Sequence, residues 1–348
     1  MLKASERTAV TATVTVTPHV LERRFRVSHA TTSTVDLLRL DLRDADGRVS
    51  GSGEISADRG FGQDGPAIAE EARGLVHALA ARDGLDRVAV LEPLLDRAAE
   101  KVSGPARTLT EMALLDRAAR LAGAPVWRLL DLPEPGRIEL MHTVAIGDAL
   151  DVAARPLKVK LGADTDADVL RELIGRPGPV LLDVNEGWDR PAWLGVRDLV
   201  ARLAPAVLED PTADEELLAE IRAGLPGTRV VLDESVRTPR DAERAAGLAD
   251  GVNIKVMRMG GLLPALRVLR SARSRGQVCM VGSFLEPRRS VAYAAQLNGL
   301  ADWTDLDGHF WISGDRPVLH YRLDSGRPGI PEIRYEPTAA ESGEPGER

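Results

Sequence analysis

At 348 residues, 28% of them charged and with a formal net charge of −8, the chain is long enough for one large domain with an accessory one, or for two ordinary domains. Acidic and basic side chains are interspersed, which gives no electrostatic support to a nucleic-acid-binding face. The start, Met1-Leu-Lys-Ala-Ser-Glu6, lacks the apolar core of a signal peptide and no apolar run of about 18 residues occurs, so a soluble, cytoplasmic protein without a membrane span is expected.

Residues 8 to 56 read as an antiparallel meander. Thr11 to Thr17 is rich in β-branched residues, Thr34 to Arg43 alternates, and an Asp46-Gly47 turn leads into a glycine-rich return strand. Helical spacing follows in Ala67–Ala81, Val88–Val102 and Leu109–Leu121, broken at Asp83-Gly84 and Ser103-Gly-Pro105. The first third therefore reads as an α+β unit.

From Arg137 onward, short apolar runs alternate with helical stretches. The expected strands are Ile138–Ile146, Pro156–Leu161, Val180–Val184, Ala206–Glu209, Val230–Leu232, Gly251–Val256, Gln277–Val281 and Trp303–Leu306. The markers near their ends, Lys160, Asp183, Glu209, Asp233, Lys255, Gly282 and Asp305, follow at steps of 22 to 27 residues. One strand and one helix per repeat is the pattern of a closed parallel barrel, here a (β/α)7β TIM-like barrel. The tail after Trp311 returns to strand-like sequence near Val318–Leu323 and is expected to pack on the first domain. The resulting division is an α+β capping domain over 1–132 completed by 312–335, a barrel over 133–311, and a disordered tail over 336–348. Cys279, the one cysteine, sits in an apolar stretch and is expected to be a buried hydrophobe.

Strand parity points to a site at the barrel mouth. In Leu157-Lys-Val-Lys-Leu161 the apolar residues share one face and Lys158 and Lys160 the other, so apolar contact with the helices directs both lysines into the barrel. The same parity pairs Asp183 with Asn185, Asn253 with Lys255 and Asp305 with Asp307, each at a C-terminal strand end. A lone lysine there is usually a solvated rim residue, and aspartates near turns are usually caps. Three successive strands ending in Asp183, Glu209 and Asp233 weigh against that: three converging oxygen ligands suit a hard cation such as Mg²⁺.

Lys158-Val-Lys160, Asp183-Val-Asn-Glu-Gly-Trp188, Glu209-Asp-Pro211, Asp233-Glu-Ser235 and Asn253 to Gly261 together resemble the enolase superfamily, specifically its muconate-lactonizing-enzyme-like branch. The resemblance covers roughly residues 8 to 335. It implies one Mg²⁺ per subunit held by Asp183, Glu209 and Asp233, a lysine acid/base pair in Lys160 and Lys255, and supporting roles for Lys158 and Asn185; a lysine base with Mg²⁺ is that superfamily's established pairing. Lys158 and the metal are expected to lower the pKa of Lys160 by like-charge repulsion. Asp305-Leu-Asp307 resembles the Asp-x-Asp signature of dipeptide epimerases, where it would bind a substrate α-ammonium group, with Ser283 and Glu286 of the seventh-strand segment as further substrate contacts. Specificity would come from loops at Arg24–Ser33 and Glu54–Asp64. Arg24, Arg26 and His29 are candidates there, although Ala30 occupies the position where alanyl-glutamate epimerases carry an arginine, and Asp58 and Asp64 would favour a cationic or small polar residue.

The reading is an Mg²⁺-dependent dipeptide epimerase, expected as a homo-oligomer with a small-molecule partner. Alternatives are an N-succinylamino acid racemase, an o-succinylbenzoate synthase or a cycloisomerase of the same branch, a Schiff-base lyase using either lysine as nucleophile, and a metal-binding scaffold without catalysis.

Overall fold

Period-two alternation in the first fifty residues produces the long strands β1 (Thr11–Arg26), β2 (Thr31–Arg43) and β3 (Val49–Ala57), an antiparallel sheet in that order. In the computed structural model the described residues are 10–312, except 45, 46, 48, 81, 136–137 and 151–155, together with the backbone of 321–327 and 330–335; at 138–139 too only the backbone is described. Asp46 of the expected turn and the tail 336–348 lie outside them. Leu38, Leu40, Leu42 and Ile55 are buried on one face of the sheet, against α1 (Gly65–Ala80), α2 (Val88–Ala98) and α3 (Gly104–Ala122). Helix α3 starts at Ser103, whose hydroxyl caps the Ala106 N–H, and stops at Gly123 with φ 60°, a left-handed position that glycine adopts without steric cost. A short helix, α4 (Val126–Leu129), leads to the barrel.

The run Ile138–Ile146, expected as one strand, is two. β4 (Ile138–Glu139) pairs with β14, and β5 (His142–Val144) opens the barrel. Then follow β6 (Leu157–Lys160), α5 (Asp166–Leu173), β7 (Val180–Asp183), α6 (Arg190–Leu203), β8 (Val207–Glu209) and α7 (Glu215–Gly224). The second half runs β9 (Arg229–Leu232), α8 (Pro239–Leu248), β10 (Gly251–Lys255), α9 (Val256–Met259), α10 (Leu262–Ser274), β11 (Val278–Gly282), α11 (Arg288–Ala294) and β12 (Trp303–Asp305). The eight strands β5 to β12 pair in parallel in chain order, and a hydrogen bond from Met141 N to Thr304 O, 3.3 Å, brings the two edges together. The C-terminal strands β13 (Tyr321–Arg327) and β14 (Ile330–Tyr335) form a separate antiparallel sheet with β4, not with β1–β3.

Parity works as the sequence suggests. Leu157, Val159 and Leu161 pack outward with residues of α5 and α6, while Met141, Leu181, Val207, Val231 and Met280 form a small apolar cluster that fills the lumen. Continuing each lumen face toward the C-terminal strand ends brings Asp183, Glu209 and Asp233 inward above this layer.

Cap and barrel share a core: Leu38 and Leu109 of the cap belong to the same buried cluster as Val252, Ile254 and Leu266 of the barrel. A polar clasp adds to it. The buried Glu111 of α3 accepts from Leu263 N at 3.0 Å, Tyr293 Oη at 2.8 Å and Arg107 Nη1 at 2.9 Å, and Arg107 also donates to Gly260 O. Any side chain at Gly261, where φ is 130°, would overlap the Glu111 carboxylate. The clasp holds the turn that follows Lys255. Among the described residues no helix is long and apolar enough to cross a membrane.

Candidate active site

The two lysines come from β6 and β10, which are four steps apart in either direction around the eight-strand ring. Both line one cavity at the barrel mouth, together with Asn185, Asp305, Asp307, Ser283 and Thr143.

Below the cavity lies a dense charge network. Lys158 Nζ is 2.9 Å from Asp183 Oδ2, 2.8 Å from Glu209 Oε2 and 2.5 Å from Asp305 Oδ2. Lys160 Nζ meets the same Asp183 oxygen at 2.5 Å and Asn185 Oδ1 at 3.2 Å. On the far side, Lys255 Nζ is 2.6 Å from Asp233 Oδ2, whose other oxygen pairs with Arg258. All of these groups except Arg258 are nearly or fully buried, so the charges act through a low dielectric. Burial opposes charge on Lys158, but Asp183, Asp305 and Glu209 hold its ammonium well above the usual lysine value. Lys255 is raised in the same way, burial opposing and Asp233 prevailing. Asp183 and Asp233 are held low despite burial, Asp183 by Lys158 and Lys160, Asp233 by Arg258 and Lys255. Glu209, by contrast, is pushed up by burial and by the Asp183 charge beside it. Lys158 and Lys160 thus meet across a shared carboxylate instead of facing each other bare.

The three strand-end carboxylates are of the oxygen-donor type that a hard cation takes. They offer oxygen donors from adjacent strands, and Glu209 Oε2 and Asp233 Oδ2 accept no hydrogen bond, although each lies within ion-pair distance of a lysine. A different trio, Asp210, Asp233 and Glu234, brings carboxylate oxygens within 4.8 Å of one another. Asp210 is committed to the backbone there, accepting from Asp233 N and Glu234 N.

Backbone strain marks the same rim. Asn185 and Glu186 are consecutive non-glycine residues at φ 46° and 60°, and Asp210 has φ 39°. Asn185 is held by Ser28 Oγ, which donates to its carbonyl at 3.0 Å, so the first cap loop touches the end of β7.

Asp305 and Asp307 both reach the cavity. Thr143 N donates to Asp307 Oδ2 at 2.6 Å and Thr143 Oγ1 to Oδ1 at 3.1 Å, while burial and the Asp305 charge raise the Asp307 carboxyl. Ser283 lines the cavity; Glu286 does not, because its carboxylate accepts from Phe284 N at 2.8 Å and from the Ser290 hydroxyl and so shapes the loop. Arg24, Arg26 and His29 are exposed. Their stretch lines the cavity through Phe25 and Val27, and His29 packs edge-on against Phe61. Sequence reading missed these wall residues, and also Arg258 and Thr143. Arg258 stands inside the Asn253 to Gly261 segment and was findable; no motif or spacing singles out Phe61 or Trp311.

A family model described as enolase C-terminal domain-like matches residues 147–339, more than half of the sequence. The chain belongs to this family. Members similar to it include the hydrophobic dipeptide epimerase of Citrifermentans bemidjiense, 34% identical over 62% of this chain and 67% of that protein. The L-Ala-D/L-Glu epimerase of Bacteroides thetaiotaomicron is 29% identical over 61% of this chain, a match spanning 58% of that relative's length. Among solved structures, the dipeptide epimerase from Methylococcus capsulatus complexed with Mg and the dipeptide L-Arg-D-Lys superimposes with a TM-score of 0.78 at 27% identity, covering 95% of this chain and 98% of that one.

Proposed function

We propose that the chain is an Mg²⁺-dependent dipeptide epimerase that moves a proton at the carbon next to the substrate carboxylate. The observation that carries this is the placing of Lys160 and Lys255, from opposite strands of the ring, on one cavity. A neutral Nζ on one side takes the α-proton and becomes an ammonium. The ammonium opposite gives its own proton to the other face of the same carbon, and the configuration inverts. The pair then stands ready for the reverse reaction.

Asp183, Glu209 and Asp233 would hold the ion, the relatives' complexes with Mg supporting its identity. When bound, Mg²⁺ supplies the positive charge that stabilises the second negative charge developing on the substrate carboxylate. Lys158 and Asn185 position Asp183 and Lys160. Asp305 and Asp307 favour a dipeptide over N-succinyl or aromatic acids, since two carboxylates match an α-ammonium in charge and hydrogen bonding. The cytoplasmic homo-oligomer, and the division into a cap of 1–132 and a barrel of 133–311, belong to this reading.

A dipeptide panel in D₂O with Mg²⁺, followed by mass shift, tests it. The parent protein should incorporate α-deuterium and epimerise. Lys160→Ala and Lys255→Ala should each abolish epimerisation while one enantiomer still exchanges. If both variants epimerised at the parent rate, the two-lysine assignment would be wrong.

A further inference from the structure

Resting on the epimerase reading, we infer that Ser28 of the first cap loop is a positioning residue for one base of the pair, Lys160, and not for the other. The loop that follows β1 is tied down at two places. Ile146 N, just past β5, donates to Arg26 O at 3.0 Å, and Ser28 sits against the ends of β6 and β7. Its seat is a pair of glycines: a Cβ at Gly162 would lie 2.6 Å from Ser28 Cβ, and one at Gly187 3.0 Å from it. A side chain at either position would push the loop off the barrel mouth, so this close approach requires glycine.

Two routes run from this seat to Lys160. Gly162 follows Lys160 by two residues, so Ser28 bears directly on the end of the strand that carries the base. The second route is a chain of hydrogen bonds, in which Ser28 Oγ donates to Asn185 O at 3.0 Å and Asn185 Oδ1 accepts from Lys160 Nζ at 3.2 Å. Asn185 needs the support. Its φ of 46° is a left-handed conformation that a residue other than glycine keeps only where its surroundings hold it. Its N–H is held by Asp183 Oδ1 at 3.1 Å and its carbonyl by Ser28. His29 Nδ1, 3.2 Å from the same hydroxyl oxygen, can donate to the lone pair left over. Val27, beside Ser28, lines the cavity, so the turn that walls in the substrate also sets the amide that Lys160 rests on.

Lys255 is held by other means. Its Nζ is 2.6 Å from Asp233 Oδ2 and 4.8 Å from the centroid of the Phe284 ring, and the Glu111 clasp fixes the turn after it. The link from Asn185 toward that side, Nδ2 to Glu234 Oε1, is 3.5 Å long, at the outer limit of a hydrogen bond. Seating of the loop therefore orients the base on β6 and leaves the base on β10 alone.

The test separates the two bases, because each lysine exchanges the α-proton of one diastereomer. Initial α-deuterium uptake in D₂O with Mg²⁺ is measured for L-Ala-L-X and L-Ala-D-X, with X as Leu, Phe, Glu or Lys. The parent is compared with Ser28→Ala, which keeps the Cβ in its seat and removes only the hydroxyl. Uptake by one diastereomer should fall about 10-fold, the scale of one lost hydrogen bond, and uptake by the other should stay at the parent rate. In an Asn185→Gly background, where the backbone keeps its left-handed turn without the amide, adding Ser28→Ala should cost nothing more. An equal fall for both diastereomers, or a fall for neither, would overturn the inference while exchange by the parent upheld the epimerase reading. A Ser28→Ala loss that added in full to that of Asn185→Gly would overturn it as well. No uptake by the parent on any member of the panel would overturn both readings.

Discussion

Replacing Glu111 by alanine should destabilise the whole protein, because this one carboxylate closes the clasp between cap and barrel. It accepts from Leu263 N, Tyr293 Oη and Arg107, all buried. Breaking a buried ion pair by removing one partner costs about 3–5 kcal/mol. Each donor left without an acceptor adds about 1–3 kcal/mol. Arg107 keeps Asp96 at 2.7 Å and Gly260 O, and water entering the gap recovers part of the rest, so we expect a net loss of about 4 kcal/mol for Glu111→Ala. Burial raises the Glu111 carboxyl against the pull of Arg107, so a neutral amide is the milder change and Glu111→Gln should lose about 2 kcal/mol. Urea unfolding, followed by circular dichroism and extrapolated with an unchanged slope, measures both. Alanine and glutamine variants both within about 0.5 kcal/mol of the parent, the range of an ordinary surface change, would refute the clasp.

His309 is buried and its pKa is pushed down to about 3 by burial and by Arg288, against 6.5 when unfolded. The unfolded chain binds the extra proton between those values, so parent stability should fall relative to His309→Gln as pH drops below 6.5, by about 1.4 kcal/mol per pH unit. Parallel pH–stability curves would count against it. Mg²⁺ at about 100 times its Kd should add about 2.7 kcal/mol to the parent's stability, a gain that Asp183→Asn and Glu209→Gln should lose and chelator should reverse. Gly282→Ala would set a methyl 2.7 Å from Asn253 Oδ1 and displace the amide that donates to Glu209 at 2.9 Å, so metal affinity, read by titration calorimetry, should fall about 10- to 100-fold. Cys279 is buried, with its thiol pushed up to about 12 by burial, and should react with a thiol reagent only as fast as the protein unfolds.

The barrel was legible because its signal repeats: parity recurs on strand after strand, and an error in one run is corrected by its neighbours. Where a run stood alone, the reading failed. Ile138–Ile146 carries Glu139, His142 and Thr143 among its apolar residues but no glycine or proline break, and nothing local says that 138–139 pairs with a strand nearly two hundred residues later while 142–144 joins the barrel. The charged half of the site was legible for a related reason, since lysines and carboxylates on a lumen-facing parity have no ordinary place in a core. Its apolar half was not. Attention to the polar Arg24 and Arg26 overlooked that the same alternation turns Phe25 and Val27 inward, and which core aromatic borders a cavity depends on loop paths that no periodicity encodes.

The shared core of Leu38 and Leu109 with Val252 and Ile254 bears on how this scaffold can acquire a new preference. A cap grafted from a relative would bring foreign loops, but also a foreign underside that must mesh with β10 and α10 and supply its own Glu111. Divergence by whole-domain exchange is therefore obstructed. Point changes at Phe61, on the turn after β3 and outside that shared cluster, leave the foundation untouched and are the open route to a different diet.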